Sequence, residues 1–248
     1  MTKIRVLNGN MLKILAAVCM VIDHMGLMFF PTNEIFRIIG RLAYPIFAFM
    51  ISEGARYTKN KLKYFLTIFS LATVCQVVYY FFNNGSLYMC ILVTFSLSIL
   101  MIYALSWFKS CLFDRGCPYY TKILSLITFL GSVALVFLLN AVLRIDYGFV
   151  GCMAPVVASL FDFRGTNPPS VLLALDRQEV RVLMFALALL ALSIGSSFSL
   201  QYYCLIAIIP LLLYSGKRGR MKMKYFFYLF YPLHLVALEA IYLLIKMA

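Results

Sequence analysis

The chain is a succession of apolar stretches with little between them, near residues 12–30, 36–55, 62–82, 87–108, 122–143, 147–161, 180–196, 200–214 and 225–245. A helix that crosses the hydrocarbon of a bilayer needs about 20 mostly apolar residues, because only the helix itself can satisfy its backbone amides and carbonyls there. With 64% hydrophobic and 12% charged residues, a soluble core would leave too few polar side chains to cover it. A soluble enzyme, a disordered tail and a secreted disulfide scaffold are excluded on that ground. The sequence predicts an all-α polytopic membrane protein of about nine transmembrane helices, within a range of about eight to ten. These form one domain over residues 1–248. The first stretch carries Asp23 and His24 and is followed by no small-residue cleavage pattern, so it reads as a membrane helix and not as a cleaved leader.

The formal charge of +13 would point to nucleic acid in a soluble protein. Here the positive-inside rule accounts for it, and no nucleic acid partner is expected. With a cytoplasmic N-terminus, alternation gathers the cations of residues 3–13, 56–63, 109–122, 164–181 and 217–224 on the inner side. Only Arg37, Arg41, Arg144 and Lys246 remain outside. The topology is N-inside and C-outside, surrounded by membrane lipids, with Lys217–Lys224 also suited to anchor headgroups. The outer links around Pro31–Glu34, Asn83–Ser86 and Gly195–Ser199 are too short to fold alone. The longest inner link, Asp162 to Glu179, contains Asn167-Pro168-Pro169 and then Val171–Leu175, a turn followed by an interfacial half-helix. Of the seven cysteines, five fall in or beside apolar segments, and Cys111 and Cys117 share a loop with no CxxC or neighbouring histidine. Neither a disulfide framework nor a metal site is expected.

Charges inside the spans are the informative residues. Each costs about 2.5–3.5 kcal/mol at mid-span and normally faces a polar cavity. Asp23 and His24 lie in the first span, Arg37, Arg41 and Glu53 in the second, Asp146 at the mouth of the sixth, and His234 and Glu239 in the ninth. At about 1.5 Å of rise per residue, His24 lies about 18 Å and His234 about 14 Å above the inner boundary, and Arg41 about 8 Å below the outer one. Gln76 falls in the same layer. One buried site is the economical interpretation. Asp23 and His24 are adjacent and project about 100° apart, so the partner of His24 comes from another helix, Asp146 being one candidate, while Asp23 is placed to pair with Arg37 or Arg41. Arg37, Arg41, Pro45 (with Tyr44), Ala48, Ser52 and Arg56 form a polar or small stripe, kinked at Pro45, that can wall a channel from the inner face. The sixth span is short and interrupted by Gly148, Gly151 and Pro155, a pattern that often lines binding sites.

These residues fall in familiar blocks: Leu12-Lys13-Ile14-Leu15, then Met20 to Gly26 around Asp23-His24, then Phe36 to Phe49, Glu53-Gly54 and Tyr57-Thr58. Further along come Gln76, Asp146-Tyr147-Gly148 and Tyr231-Pro232-Leu233-His234-Leu235. Together they resemble the TraX family of F-pilin acetylase-like membrane proteins, within the wider acyltransferase-3-like class. The match is dense over the N-terminal 80 residues and sparse beyond. The resemblance implies transfer of acetyl from cytoplasmic acetyl-CoA to an acceptor at or beyond the cytoplasmic membrane of a bacterium. It also implies that His24 is an essential histidine, Arg37 and Arg41 an arginine block, and Asp146 and His234 later motifs.

Acetyl transfer needs a base for the acceptor and donors for the tetrahedral oxyanion. In this scheme His24 is the base, or else a transient acetyl carrier. Arg37 and Arg41 orient the acceptor or stabilise negative charge, Asp146 holds a histidine in its productive tautomer, and His234 assists. The anionic end of the donor would dock on the clusters containing Arg56, Lys59 and Lys63 and Lys217 and Arg218, with Arg37 further in. The acceptor, a peptide or pilin N-terminus or an envelope glycan, is not legible. Two other classes fit the same charges: a proton-coupled transporter or flippase, which should show repeated halves, and a non-catalytic assembly protein whose polar cluster only joins helices.

Overall fold

A computed structural model describes residues 5–82, 88–221 and 223–247. The link Asn83–Ser86, Lys3 and Lys222 lie outside the described residues. Every apolar stretch forms helix: α1 (Gly9–Phe29), α2 (Glu34–Gly40), α3 (Ala43–Tyr57), α4 (Lys61–Phe82), α5 (Ile91–Phe113), α6 (Tyr119–Val142), α7 (Gly148–Ala158), α8 (Ser170–Leu173), α9 (Gln178–Ile194), a 3-10 helix (Ser199–Ala207) running into α10 (Ile208–Leu212), and α11 (Lys224–Met247). Among the described residues, six helices are long and apolar enough to cross a membrane, α2 and α3 counting as one. The nine stretches are therefore not nine equal spans: α7, α9 and the 199–212 segment are shorter. The proposed interfacial half-helix is a single turn, α8.

α7 has 11 residues, about 16 Å of helix, or half a hydrocarbon core. Its start is tied to α5 by Thr94, whose hydroxyl donates to the Asp146 carbonyl at 2.8 Å. Its end is tied to the same helix by Lys109, whose ammonium donates to the carbonyls of Ser159 (2.8 Å), Leu160 (3.4 Å) and Asp162 (2.5 Å). From Thr94 to Lys109 α5 rises about 22 Å, so the difference from α7 is about the reach of a lysine side chain. That cation caps carbonyls that helix geometry leaves unpaired. The 3-10 stretch works in the opposite direction. At about 2.0 Å per residue its nine residues extend about 18 Å, further than the same residues would as α-helix.

The kink in the second stretch lies at Arg41 and Leu42, between α2 and α3. Pro45 explains the position: its ring lacks an amide and crowds the carbonyl four residues back, which is that of Arg41. The amide of Arg41 is shared between the carbonyls of Arg37 (3.1 Å) and Ile38 (3.2 Å), and that of Leu42 turns to Ile39 (3.2 Å), so the helix passes into the tighter 3-10 pattern here. Beyond the kink the stripe does not wall a channel. Ser52 is fully buried and donates to the Phe49 carbonyl, and Glu53 pairs with Arg181 of α9 deep in the core. Arg56 is held by Asp162 and Asp176, which fastens the 159–178 link to α3.

α1 and α2 approach closely because their contact positions are glycines. A Cβ on Gly26 would lie 2.3 Å from the Cβ of Phe36, and one on Gly40 would lie 2.1 Å from Oδ1 of Asp23. In a free helix Gly→Ala gains about 1 kcal/mol; here the methyl group must displace Asp23. Gly40→Ala should lower the thermal unfolding midpoint of the detergent-solubilised protein, with a destabilisation of about 1–3 kcal/mol from overpacking.

Candidate functional site

A cavity of about 530 Å³ lies between α1, the α2–α3 kink, α4, the start of α5 and α11. One end is polar, lined by Asp23, His24, Arg37, Arg41, Asp146 and Tyr147. The other is lined by Lys13, Tyr64, Phe227 and Tyr228, and the walls between by Phe47, Met50, Ile51, Ile68, Leu71 and Phe95. The wall contributed by α3 carries residues 43, 44, 47, 50 and 51; of the stripe's residues on α3 only Tyr44 reaches it, and residues 48, 52 and 56 do not. On α1, Lys13, Met20, His24 and Leu27 recur at i, i+7, i+11 and i+14, which is one helix face. Lys13 and His24 are three turns apart, about 16 Å, at opposite ends of the cavity.

Asp23 and His24 diverge as the helix geometry requires. Asp23 turns to α2, where its Oδ2 meets the Arg37 guanidinium at 2.8 Å; its Oδ1, wedged against Gly40, is buried with no hydrogen-bond partner among the described residues. His24 turns toward α11, and its ring lies 5.3 Å from that of His234, centroid to centroid, at 50°. His234 is buried behind His24 and does not line the cavity. Its Nδ1 is 3.0 Å from the Phe230 carbonyl, its ring stacks on that of Phe230, and its Nε2 is buried with no partner among the described residues. The chain's two histidines thus share one site.

Arg41, at the kink, donates through Nη1 to Oε1 of Gln201 at 3.2 Å and to the Tyr147 hydroxyl at 3.5 Å, and its guanidinium lies 5.0 Å over the Phe198 ring. Asp146 accepts from the Tyr88 hydroxyl at 2.7 Å. The two chain segments are clipped together: Met89 donates to the Arg144 carbonyl at 2.8 Å and accepts from the Asp146 amide at 3.1 Å. Gln76 fastens the same place, donating to the Tyr88 carbonyl (2.9 Å) and accepting from the Cys90 amide (2.8 Å). Tyr147 follows with φ +59°, a left-handed conformation that costs a side chain about 1–2 kcal/mol. Its ring stacks on Tyr44 at 3.9 Å, and the Tyr44 hydroxyl donates to the Gly151 carbonyl at 2.8 Å, so the strained turn is clamped from α3.

Several expected roles take a different form. Among the described residues no hydrogen bond joins Asp146 to either imidazole, so the carboxylate does not set a histidine tautomer; its neighbour is Tyr88. Arg56 is committed to two carboxylates and does not line the cavity. Lys59 and Lys63 are exposed and away from it. Lys217 and Arg218 are exposed too, but their carbonyls accept from the amides of Gly9 and Asn10, one turn before Lys13, so this basic segment borders the Lys13 end. Glu53 belongs to the core pair with Arg181, and Glu239 lies off the cavity. Lys13, which lines the cavity, and Gln201, which holds Arg41, are not among the sequence candidates. For Lys13 the available signal is its place eleven residues before His24 on one face; for Gln201 it is an amide within an apolar segment.

The Asp23–Arg37 pair is half-buried, each side chain 23% exposed. Asp23→Asn or Arg37→Leu alone leaves a charge at membrane depth and should destabilise by about 2–3 kcal/mol, less than the 3–5 of a fully enclosed pair. The double substitution should cost less than the sum of the two, as read from thermal unfolding in detergent.

A family profile described as TraX protein matches residues 8–242. The probable fimbrial assembly protein FimC of Dichelobacter nodosus is 25% identical over 257 aligned positions, covering 92% of each chain. An uncharacterized protein of Rickettsia prowazekii (strain Madrid E) is 33% identical over 110 positions, covering 34% of this chain and 44% of its own. No solved structure matches. With the profile extending over nearly the whole chain, from the first turn of α1 into the last turns of α11, this protein belongs to the TraX family.

Proposed function

We propose that the protein is a membrane-embedded acetyltransferase, moving acetyl from cytoplasmic acetyl-CoA to an amine or hydroxyl acceptor near the outer half of a bacterial cytoplasmic membrane. The observation that carries this is His24 facing a cavity that has cations at both ends and an apolar throat between them. A thioester donor has that profile: an anionic nucleotide end, a long pantetheine arm and a small reactive carbonyl. Lys13, with the exposed Lys217 and Arg218 beside the start of α1, meets the anionic end, and about 16 Å of throat receives the arm. In this reading the donor docks at Lys13 and the 217–218 segment, and Arg56, Lys59 and Lys63, which do not line the cavity, take no part.

At the polar end His24 takes the proton of the acceptor as its nitrogen or oxygen attacks the thioester carbonyl. The guanidinium of Arg41, steadied by Gln201, Tyr147 and Phe198, offers charge to the tetrahedral oxyanion. The Asp23–Arg37 pair and Asp146 shape the acceptor side. Collapse breaks the carbon–sulfur bond, and the proton on His24 leaves with the thiol. The similarity to a probable fimbrial assembly protein favours a fimbrial or pilin subunit over an envelope sugar as acceptor. In this arrangement the N-terminus is cytoplasmic, the basic segments lie inside, and the nine helical stretches cross wholly or in part, with α7 as a half-span.

The test is purified full-length protein in nanodiscs with radiolabelled acetyl-CoA and either a peptide bearing a free N-terminus or an amino sugar. Saturable donor binding and label transfer are expected. His24→Ala should reduce turnover by about 10²-fold or more with donor binding kept, and Arg41→Ala should lower rate or binding. Full turnover in His24→Ala removes the base assignment. Absence of donor binding in the wild-type protein removes the acetyltransferase reading and leaves a transporter or an assembly role.

A further inference from the structure

A base in a buried site needs a second group to fix its tautomer and orientation, and the usual provider is a carboxylate. Here both carboxylates at the polar end are engaged elsewhere. Asp23 is paired with Arg37 on the face of α1 turned to α2, and Asp146 accepts from Tyr88. The group standing behind His24 is His234.

We propose that His234 is the positioning residue of His24, its Nε2 accepting the N–H of the His24 ring nitrogen that faces away from the cavity. The assignment deepens the acetyltransferase reading and rests on it for its chemical meaning. Four observations carry it. His24 lines the cavity and His234 does not, so the order from the acceptor outward is His24, then His234. Nδ1 of His234 lies 3.0 Å from the Phe230 carbonyl, which can only accept; Nδ1 therefore holds the hydrogen, and Nε2 carries a lone pair. That Nε2 is buried with no partner, a cost that a single donor removes. The ring centroids are 5.3 Å apart. Two imidazoles joined by a hydrogen bond of about 2.9 Å would have centroids about 5 Å apart, so the observed spacing accommodates the bond. Such bonds are often misaligned before substrate arrives.

Phe230 stacked at 9° on one face of His234, and Tyr231 edge-on to it, hold the second ring in place. The relay runs from the Phe230 carbonyl through His234 to His24 and the acceptor. In the transfer the cavity-facing nitrogen of His24 takes the acceptor proton while the new bond to the carbonyl carbon forms. The resulting imidazolium keeps its other N–H on Nε2 of His234. When the carbon–sulfur bond breaks, the sulfur leaves with the proton from His24. His234 neither gains nor loses a proton over the cycle.

With two histidines in the whole chain, the nitrogen spectrum is readable. Full-length protein labelled with 15N-histidine, in nanodiscs, is compared by long-range 1H–15N correlation with His24→Gln and His234→Gln, which assign the signals. The expected result is His234 as the neutral Nδ1–H tautomer, its Nε2 signal moving in His24→Gln. A His234 protonated on Nε2, or an Nε2 signal indifferent to His24, overturns the proposal. Kinetically, His234→Phe should lower kcat by about 10²-fold with KM for acetyl-CoA unchanged, while His234→Gln, whose side-chain oxygen can accept, recovers part of it. Unchanged kcat in His234→Phe, or equal loss in the two variants, also overturns it. A wild-type protein that transfers no acetyl but shows the expected tautomer defeats the acetyltransferase reading and leaves the His24–His234 pairing standing.

Discussion

The Asp23–Arg37 ion pair sets the geometry on which the cavity depends. Neither charge is tolerable alone at membrane depth, so α1 and α2 must bring them together, and Gly26 and Gly40 allow the backbones close enough for them to meet at 2.8 Å. With Asp23 drawn to that side, the next residue on the helix, His24, is carried about 100° round toward α11. The pair thus acts as a rotational stop for α1. It fixes which face of the helix looks into the cavity, and so puts Lys13 and His24 at its two ends.

Other charges anchor the surrounding helices. Lys109 compensates for the short α7 by reaching to its terminal carbonyls, so the helix can begin at the sunken Asp146–Tyr147 turn and still end at the basic side. Arg56 and Arg181 tie the 159–178 link and α9 to α3 through Asp162, Asp176 and Glu53. These pairs are structural. Arg56, expected from sequence to be a donor ligand, falls among them because a cation near a helix end looks the same whether it faces solvent, lipid headgroups or a buried carboxylate.

Among the described residues seven buried polar side-chain atoms have no hydrogen-bond partner: Oδ1 of Asp23, Nε of Arg41, Nε2 of Gln201 and Nε2 of His234 belong to the polar end or its direct supports, and Nε of Arg56, the hydroxyl of Tyr103 and Nη2 of Arg181 lie elsewhere. A folded chain rarely leaves such atoms unpaired without use. The strained Tyr147, clamped by Tyr44, adds to the same end. Rigid elements hold this end: the kink at Arg41, the clip at Met89 and the stacked Phe230.

Sequence alone determined the class, because apolar stretches of that length and number have no soluble solution. It also determined which residues to watch, because each ionisable group within a span carries a cost that only a partner or a cavity relieves. Local rise per residue was enough to bring His24, His234 and Arg41 to one depth. What it could not give was azimuth. Whether Asp23 met Arg37 or Arg41, whether His24 faced Asp146 or His234, and whether residues 48, 52 and 56 or residues 47, 50 and 51 walled the throat depend on rotations about helix axes. Those rotations are set by contacts between helices far apart in the chain: glycine against phenylalanine, tyrosine against tyrosine, lysine against a distant helix end. The shortness of α7 was legible in its Gly148, Gly151 and Pro155, but the 3-10 winding of residues 199–207 was hidden, since it is fitted to neighbours and not to its own residues. Composition fixes depth and solvent; only packing fixes direction.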